Sequence, residues 1–369
     1  MSIQIIRDFP GGNIEKAGEI NDTVLLRQEL RDTVGNWFYF CFDAVFDRPG
    51  TWRFQFLNGA AVPARGVCVS FDGGGSWEWL GMKGVKRDAP GDSFEYEFDG
   101  TRGNRVRFCS GMQYLQSDLE TFLARHAGDP RLKKSVLTHS RQGRPVELLH
   151  IGPGTGPARA RLLFTSRHHC CEMMATHVME GLLEFFLTEP EPFEIYAVPF
   201  ADKDGVENGD QGKNRYPHDH ARDYGSAPVY PEVAAIMDLV NEWKPDFVMD
   251  LHCPWLYGGD SNEQIYFVGP RSPRMDSETR RFADLLEKRT PPDVPFSMKY
   301  YIPFGSQWNT DANYTGGMTL AQWAASFDFV RCSTSMEIPF ANAGDVTLTG
   351  DSVRRFGKAL AQSILKYFE

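Results

Sequence analysis

ARLLFTSRHHCCEMMATHVMEGLLEFFL, residues 160–187, changes pattern partway along its length. ARLLFTS (160–166) is an apolar run of the length of a buried strand. From Cys171 the chain reads as an amphipathic helix, with Met173, Met174 and Met179 in its core stripe. A strand running straight into a helix is the repeating unit of an α/β fold. The junction itself is RHHCCE (167–172), where two histidines, two cysteines and a glutamate meet at the carboxyl end of a strand. In open α/β sheets that edge is where ligands bind.

Outward from this junction, the same alternation continues. VELLHI, FEIYAVPF, DFVMDLH, IYFVG and VRCSTSMEI read as buried strands. YPEVAAIMDLVNEW, SETRRFADLLEKR and DSVRRFGKALAQSILKYF read as amphipathic helices. Together they predict an α/β region with a mostly parallel or mixed sheet. Toward the N-terminus the period shortens to two. TWRFQF sets Trp52, Phe54 and Phe56 against Thr51, Arg53 and Gln55, and FEYEF sets Phe94, Tyr96 and Phe98 against Glu95 and Glu97. NWFYFCF (36–42) is apolar on both sides and predicts a central strand, with DRPG, NGA and DGGG as turns. Such short strands predict an all-β sandwich. Ser117 and Glu120 predict a capping box that opens the helix DLETFLARH. The expected division is a β-sandwich over 1–112 and an α/β domain over 113–369.

With 41% hydrophobic and 24% charged residues, the composition is that of a globular protein. A net charge of -10 disfavours nucleic-acid binding, which needs clustered Lys and Arg. No run of about 18 apolar residues predicts a membrane span, and the first residues lack the pattern of a secretory signal. A cytoplasmic location is expected. The seven cysteines form no even framework, so reduced thiols are expected. Self-association is left open by the composition.

His169 and Glu172 stand three residues apart, close enough to share one side of a first helical turn. An imidazole and a carboxylate suit zinc, although this spacing also arises by chance. Cys170 and Cys171 read as small buried hydrophobes, because no second cysteine pair has zinc-site spacing. His252 ends the apolar strand DFVMDLH, as either a ligand or a hydrogen-bonded core histidine. Glu337 ends another strand, either buried and paired or catalytic. Two histidines and a glutamate around zinc leave one position open, and a second glutamate beside it can take a proton from water. His168, His177 and His139 read as packing or surface residues. Trp77 and Trp79, in GGGSWEWLG, read as sandwich core or as exposed ligand contacts.

His169-x-x-Glu172, Asp-Leu-His252 and Met-Glu337, in this order, resemble the M14 zinc carboxypeptidases. PFADKDGVENG (199–209) and DHARDY (219–224) resemble segments of the cytosolic carboxypeptidase branch, and NWFYFCF through SGMQYLQSDLETFL resembles its preceding β-sandwich and connecting helix. The resemblance covers nearly the whole chain. It implies one zinc per chain on His169, Glu172 and His252, with Glu337 as general base. It also implies Asp219 as the carboxylate orienting His169, Arg222 as the grip on a C-terminal carboxylate, and Tyr314 as a substrate-contacting tyrosine. For the cation polarising the scissile carbonyl it offers Arg215, with Lys213 second. Ala221 departs from the family's asparagine, which removes one expected carboxylate contact. MTLAQW would line the terminal side-chain pocket without a basic residue, leaving Arg331 as the nearest candidate for acidic termini. The implied substrate is the C-terminus of a peptide or protein. The alternatives are a related zinc amidase or deacylase acting on small acylated amino acids, and a non-catalytic binding protein on the same scaffold.

Overall fold

The structure is a computed structural model and describes residues 3–154 and 156–369. Ten strands come first: β1 (Gln4–Ile6), β2 (Glu15–Ile20), β3 (Thr23–Arg27), β4 (Cys41–Val45), β5 (Gly50–Phe56), β6 (Cys68–Ser70), β7 (Glu78–Trp79), β8 (Lys86–Asp88), β9 (Gly91–Phe98) and β10 (Arg105–Cys109). They form two five-stranded sheets, ordered β1-β4-β10-β6-β7 and β2-β3-β5-β9-β8. Alternation places Phe54, Phe56 and Phe94 of one sheet against Phe42 and Phe108 of the other, in one aromatic core. Phe54 lies 5.7 Å from Phe42 and 5.2 Å from Phe108 between ring centroids, so the two sheets pack face to face.

NWFYFCF is not a central strand along its whole length, since β4 begins only at Cys41. Its two apolar faces have a different cause. Phe40 and Phe42 point into the core between the sheets. Phe38, Tyr39 and Cys41 point the other way, into the core of the α/β region. The segment is therefore sandwiched between two hydrophobic cores, and the interior is continuous from the β region to the α/β region.

The helix α1 (Gln116–Arg125) connects them. It starts before the predicted capping box, and the reciprocal carboxylate is Asp118, whose Oδ2 accepts from the backbone N–H of Leu115 at 2.7 Å. Then follow β11 (Leu132–His139), β12 (Pro145–Ile151), β13 (Ala160–Ser166), α2 (Met173–Thr188), β14 (Phe193–Val198), α3 (Lys203–Asn208), α4 (Pro231–Trp243) and β15 (Phe247–His252). The chain closes with α5 (Asp260–Glu263), β16 (Tyr266–Val268), α6 (Pro273–Glu287), α7 (Leu320–Ala324), β17 (Cys332–Glu337), the short pair β18 (Asn342–Ala343) and β19 (Val346–Thr347), and α8 (Gly350–Phe368).

Seven strands form one mixed sheet, β11-β12-β14-β13-β15-β17-β16. Its centre, β14-β13-β15-β17, is parallel, and its flanks are antiparallel. Leu162 and Phe164 face a core shared with α2, α6 and α8, whereas Leu163 and Val248 face one shared with α4 and α7. Helices on both faces explain why the central strands are apolar throughout. The edge strand β11 was not legible in advance, because LKKSVLTH is largely exposed and lacks the apolar pattern. Trp77 and Trp79 are half-buried against the same large core, and Trp79 Nε1 donates to the Leu348 carbonyl at 2.7 Å.

Candidate metal and active site

The strands β13, β15 and β17 run parallel and end together, and register sets His252 beside Glu337. At the end of β13 the chain turns through Arg167, whose φ of +65° lies in the left-handed region that L-residues seldom adopt. Its guanidinium holds this turn by donating to the carbonyls of Cys170 at 2.6 Å and Tyr114 at 2.9 Å. The turn presents His169 and Glu172 ahead of α2.

Nδ1 of His169 lies 2.9 Å from Oε1 of Glu172, and Nδ1 of His252 lies 2.8 Å from Oε2 of the same carboxylate. Both imidazoles thus turn the same nitrogen toward one carboxylate. The outer nitrogens are held elsewhere. Nε2 of His169 is 3.2 Å from Oδ1 of Asp219, and Nε2 of His252 is 2.8 Å from Oδ2 of Asp250. Carboxylates behind ring nitrogens fix the tautomer that leaves Nδ1 free as a donor atom to a metal. His169, Glu172 and His252 place ligand atoms within 4.8 Å of one another. Two imidazoles and a carboxylate at this separation fit zinc. Among the described residues a second such group exists, His168, Asp250 and His252, but it shares His252 with the first. Its atoms already pair internally: Asp250 bridges His252 and Nδ1 of His168 (2.9 Å), and Nε2 of His168 faces the Tyr224 hydroxyl at 2.6 Å. We read it as the support of His252.

Electrostatics follow the same lines. Burial alone would raise the Glu172 carboxyl, yet Lys213, His169 and His252 hold it well below the usual range. Burial also opposes ionisation of Asp219, and His169 with Arg222 reverses that. Glu337 is the opposite case. Burial, and then the neighbouring Glu172, push its carboxyl up. Its Oε2 has no hydrogen-bond partner, and it lines the cleft together with His169 and His252.

Arg222 lies in the cleft, its guanidinium 5.0 Å from the centre of the Tyr314 ring and its Nε donating to the Asn313 carbonyl at 3.2 Å. Tyr314 donates its hydroxyl to Asn309 at 2.7 Å. Arg215 is not in the cleft. Its guanidinium is spent on Asp202 and Asp210, with Asp32 at 3.7 Å, in a buried ion network below the site. Of Arg215 and Lys213, it is Lys213 that reaches the cleft, where Nζ contacts Glu172 and donates to the Cys253 carbonyl at 3.1 Å. Ala221 is buried, with its backbone N–H on Asp219 at 2.8 Å. Arg331 is exposed and stacks on Tyr367 and Phe368, away from the cleft. All seven cysteines are buried free thiols, Cys170 and Cys171 included.

Some residues of the site escaped the sequence reading. Asp250 was legible in principle, because Asp-Leu-His on a strand puts Asp250 and His252 on one face. His168 carried no such signal, since its partner Tyr224 is 56 positions away. Trp37, Trp255 and Trp308 line the cleft from three distant segments.

Residues 119–308 match the zinc carboxypeptidase family of M14 peptidases. The chain belongs to this family. As a member it is a metallocarboxypeptidase, a peptide-bond hydrolase with one zinc ion per chain. It is similar to cytosolic carboxypeptidase 6 of Caenorhabditis elegans, at 21% identity over 98% of this chain and 86% of that one. Its fold superposes on a metallo-carboxypeptidase of Burkholderia cenocepacia with a TM-score of 0.80 and 18% identity, over 100% of this chain and 99% of the other. A metallo-carboxypeptidase of Pseudomonas aeruginosa, solved in complex with (2-guanidinoethylmercapto)succinic acid, gives 0.78 and 21% over 99% and 100%. At such identities these structures establish the fold, including the β region ahead of the α/β sheet. No helix among the described residues is long and apolar enough to cross a membrane.

Proposed function

We propose that the protein removes single residues from the free C-terminus of a cytoplasmic peptide or protein, with zinc held by His169, Glu172 and His252. The observation that carries this reading is the orphaned Oε2 of Glu337, buried beside three converging ligand atoms. When bound, zinc supplies a Lewis acid that acidifies water and polarises a carbonyl. Glu337 takes the proton of the attacking water and returns it to the leaving amine. Its raised affinity for a proton suits both transfers. Asp219 and Asp250 hold the two imidazoles in place. Lys213, in place of Arg215, faces the carbonyl oxygen as negative charge develops on it. Arg222 grips the terminal carboxylate through its planar guanidinium, with Tyr314 closing over it.

The terminal side chain enters the inner half of the cleft, lined by Val268, Thr319, Ala321, Gln322 and Ser335. These five residues carry no charge, so with Arg222 committed to the terminal carboxylate an uncharged terminal residue is favoured over glutamate. We also propose residues 112 and 113 as the boundary between two structural units that share one interior.

Three measurements test the reading. Glu337→Gln should abolish turnover with zinc still bound, because an amide cannot accept the proton. His252→Ala should lose the zinc by elemental analysis. Amidating the substrate's C-terminus should cost tenfold or more, since a charge-assisted contact is worth about 1.5–3 kcal/mol. Equal hydrolysis of free and amidated peptides would favour the amidase reading.

A further inference from the structure

The cleft has two halves, which share His169, Arg222, Trp308 and Glu337. The inner half is small, with about 50 Å³ of free volume. The outer half has about 260 Å³, opens to solvent, and is walled by Trp37, Pro254 and Trp255. Trp37 belongs to the β region, and its ring lies 5.4 Å from that of Trp255. Phe38, the next residue, packs edge-on against the other side of this wall, 4.9 Å from Trp255.

Trp37 is not carried on a loose loop. Both oxygens of the Asp32 carboxylate accept backbone N–H groups of the α/β region, from Gln211 at 3.0 Å and Gly212 at 2.8 Å. The Tyr216 N–H donates to the Asp32 carbonyl at 2.7 Å, and Val34 N–H to the Asn214 carbonyl at 3.4 Å. Trp37 Nε1 is satisfied within its own turn, by the Val34 carbonyl at 3.2 Å. The β region is therefore stitched to residues 211–216, the stretch that carries Lys213, and it presents a rigid aromatic surface to the cleft.

An exopeptidase needs a dead end for the one residue it releases and an open path for the rest of the chain. The inner half, smaller and less open, suits the first, and the larger, more open outer half suits the second. Because the two meet at His169 and Glu337, a peptide bond placed there sends its upstream residues past Trp255 and Trp37. We propose that the outer half is a binding site for the penultimate residue of the substrate, selective for an apolar or aromatic side chain, and that Trp37 of the β region is its specificity-determining residue. Aromatic rings offer a large, stiff, low-entropy contact surface of the kind that selects such side chains. The β region thus takes part in substrate recognition. This inference rests on the carboxypeptidase reading above.

The test uses the zinc-loaded full chain and the peptides acetyl-Gly-X-Ala, with X as Phe, Leu, Glu or Gly. The expected kcat/KM for Phe exceeds that for Gly by tenfold or more, mainly through KM, the scale expected from partly burying one aromatic ring. Trp37→Ala should shrink the Phe-to-Gly ratio to about twofold, and Trp37→Phe should restore most of it. Thermal midpoints establish that each variant is folded. Should Trp37→Ala fail to fold, the wild-type series and Trp37→Phe against Trp37→Leu carry the comparison. Equal kcat/KM across X in the wild type, or an unchanged ratio in Trp37→Ala, overturns the site. If no peptide is hydrolysed, the carboxypeptidase reading fails instead. Calorimetric binding of the same peptides to Glu337→Gln then decides the site separately. A tenfold preference for Phe that Trp37→Ala removes supports it, and equal affinities overturn it.

Discussion

Lys213 and Arg215 stand two positions apart in one loop, yet their environments differ. Three aspartates surround Arg215 below the site, whereas Lys213 reaches the ligand carboxylate. If Lys213 stabilises charge on the substrate oxygen, Lys213→Ala should lower kcat by about 100-fold or more, as loss of one such donor does elsewhere. Arg215→Lys should instead lower thermal stability. Steady-state kinetics with elemental analysis checks the first, and retained kcat in a zinc-loaded Lys213→Ala would refute it. Glu232 gives a pH prediction. Its side chain is buried and Oε2 has no partner. Burial pushes the carboxyl up to about 7 from 4.5, with Asp202 and Asp204 adding to the rise. The folded protein thus binds this proton more tightly than the unfolded chain does. The stability it contributes is fully present below about pH 4.5 and is lost as pH rises through about 7, a change on the order of 3 kcal/mol. Glu232→Gln removes that loss, so its urea midpoint should exceed the wild type's at pH 8 and approach it near pH 5. A parallel pair of curves would contradict the assignment.

The helices α2 and α8 meet backbone to backbone at two glycines. A Cβ on Gly357 would sit 2.1 Å from the Val178 carbonyl oxygen, and one on Gly181 would sit 2.0 Å from that of Arg354. Both obstacles are backbone and cannot rotate aside. Alanine is the better helix former by about 1 kcal/mol, but here the helices would have to separate. Gly357→Ala is therefore expected to destabilise by about 1–3 kcal/mol and to lower the thermal midpoint by several degrees in calorimetry. An unchanged or higher midpoint would show that the helices can slide apart freely. α2 begins directly after Glu172, so this packing also anchors the ligand turn to the sheet.

At the scale of the whole molecule, the β region and the α/β region share one interior. Phe38 and Tyr39 are buried in the larger core, while Phe40 and Phe42 are buried in the smaller. Asn13 donates to the Gly209 carbonyl at 2.6 Å, and Gln211 Nε2 to the Tyr39 carbonyl at 2.8 Å, both away from solvent. Residues 113–369 alone would expose this face and leave those groups unpaired. The full chain should unfold in a single calorimetric transition. The fragment should bind a hydrophobic dye and lack a sharp transition. A fragment melting cooperatively at the full-length midpoint would show the two units to be independent.

The α/β alternation and the sandwich period were readable from residues close together in the chain, whereas the proposed zinc ligands came from four separate motifs in order and from the family they resemble. His169 and Glu172 share one turn, His252 and Glu337 each end an apolar run, and strand ends collect at one edge of a parallel sheet. Local pattern suffices for the strands and helices because each buries one repeating face. It failed for β11, an exposed edge strand without a buried face, and for NWFYFCF, whose two apolar sides serve two cores. Only the tertiary structure buried Arg215 among aspartates and brought Lys213 to Glu172, turned Arg331 away from the cleft, joined His168 to Tyr224 through a buried hydrogen bond, and brought Trp37 to Trp255 across 218 residues of chain. Such contacts depend on which side chains meet when distant segments pack, and sequence spacing carries no record of that.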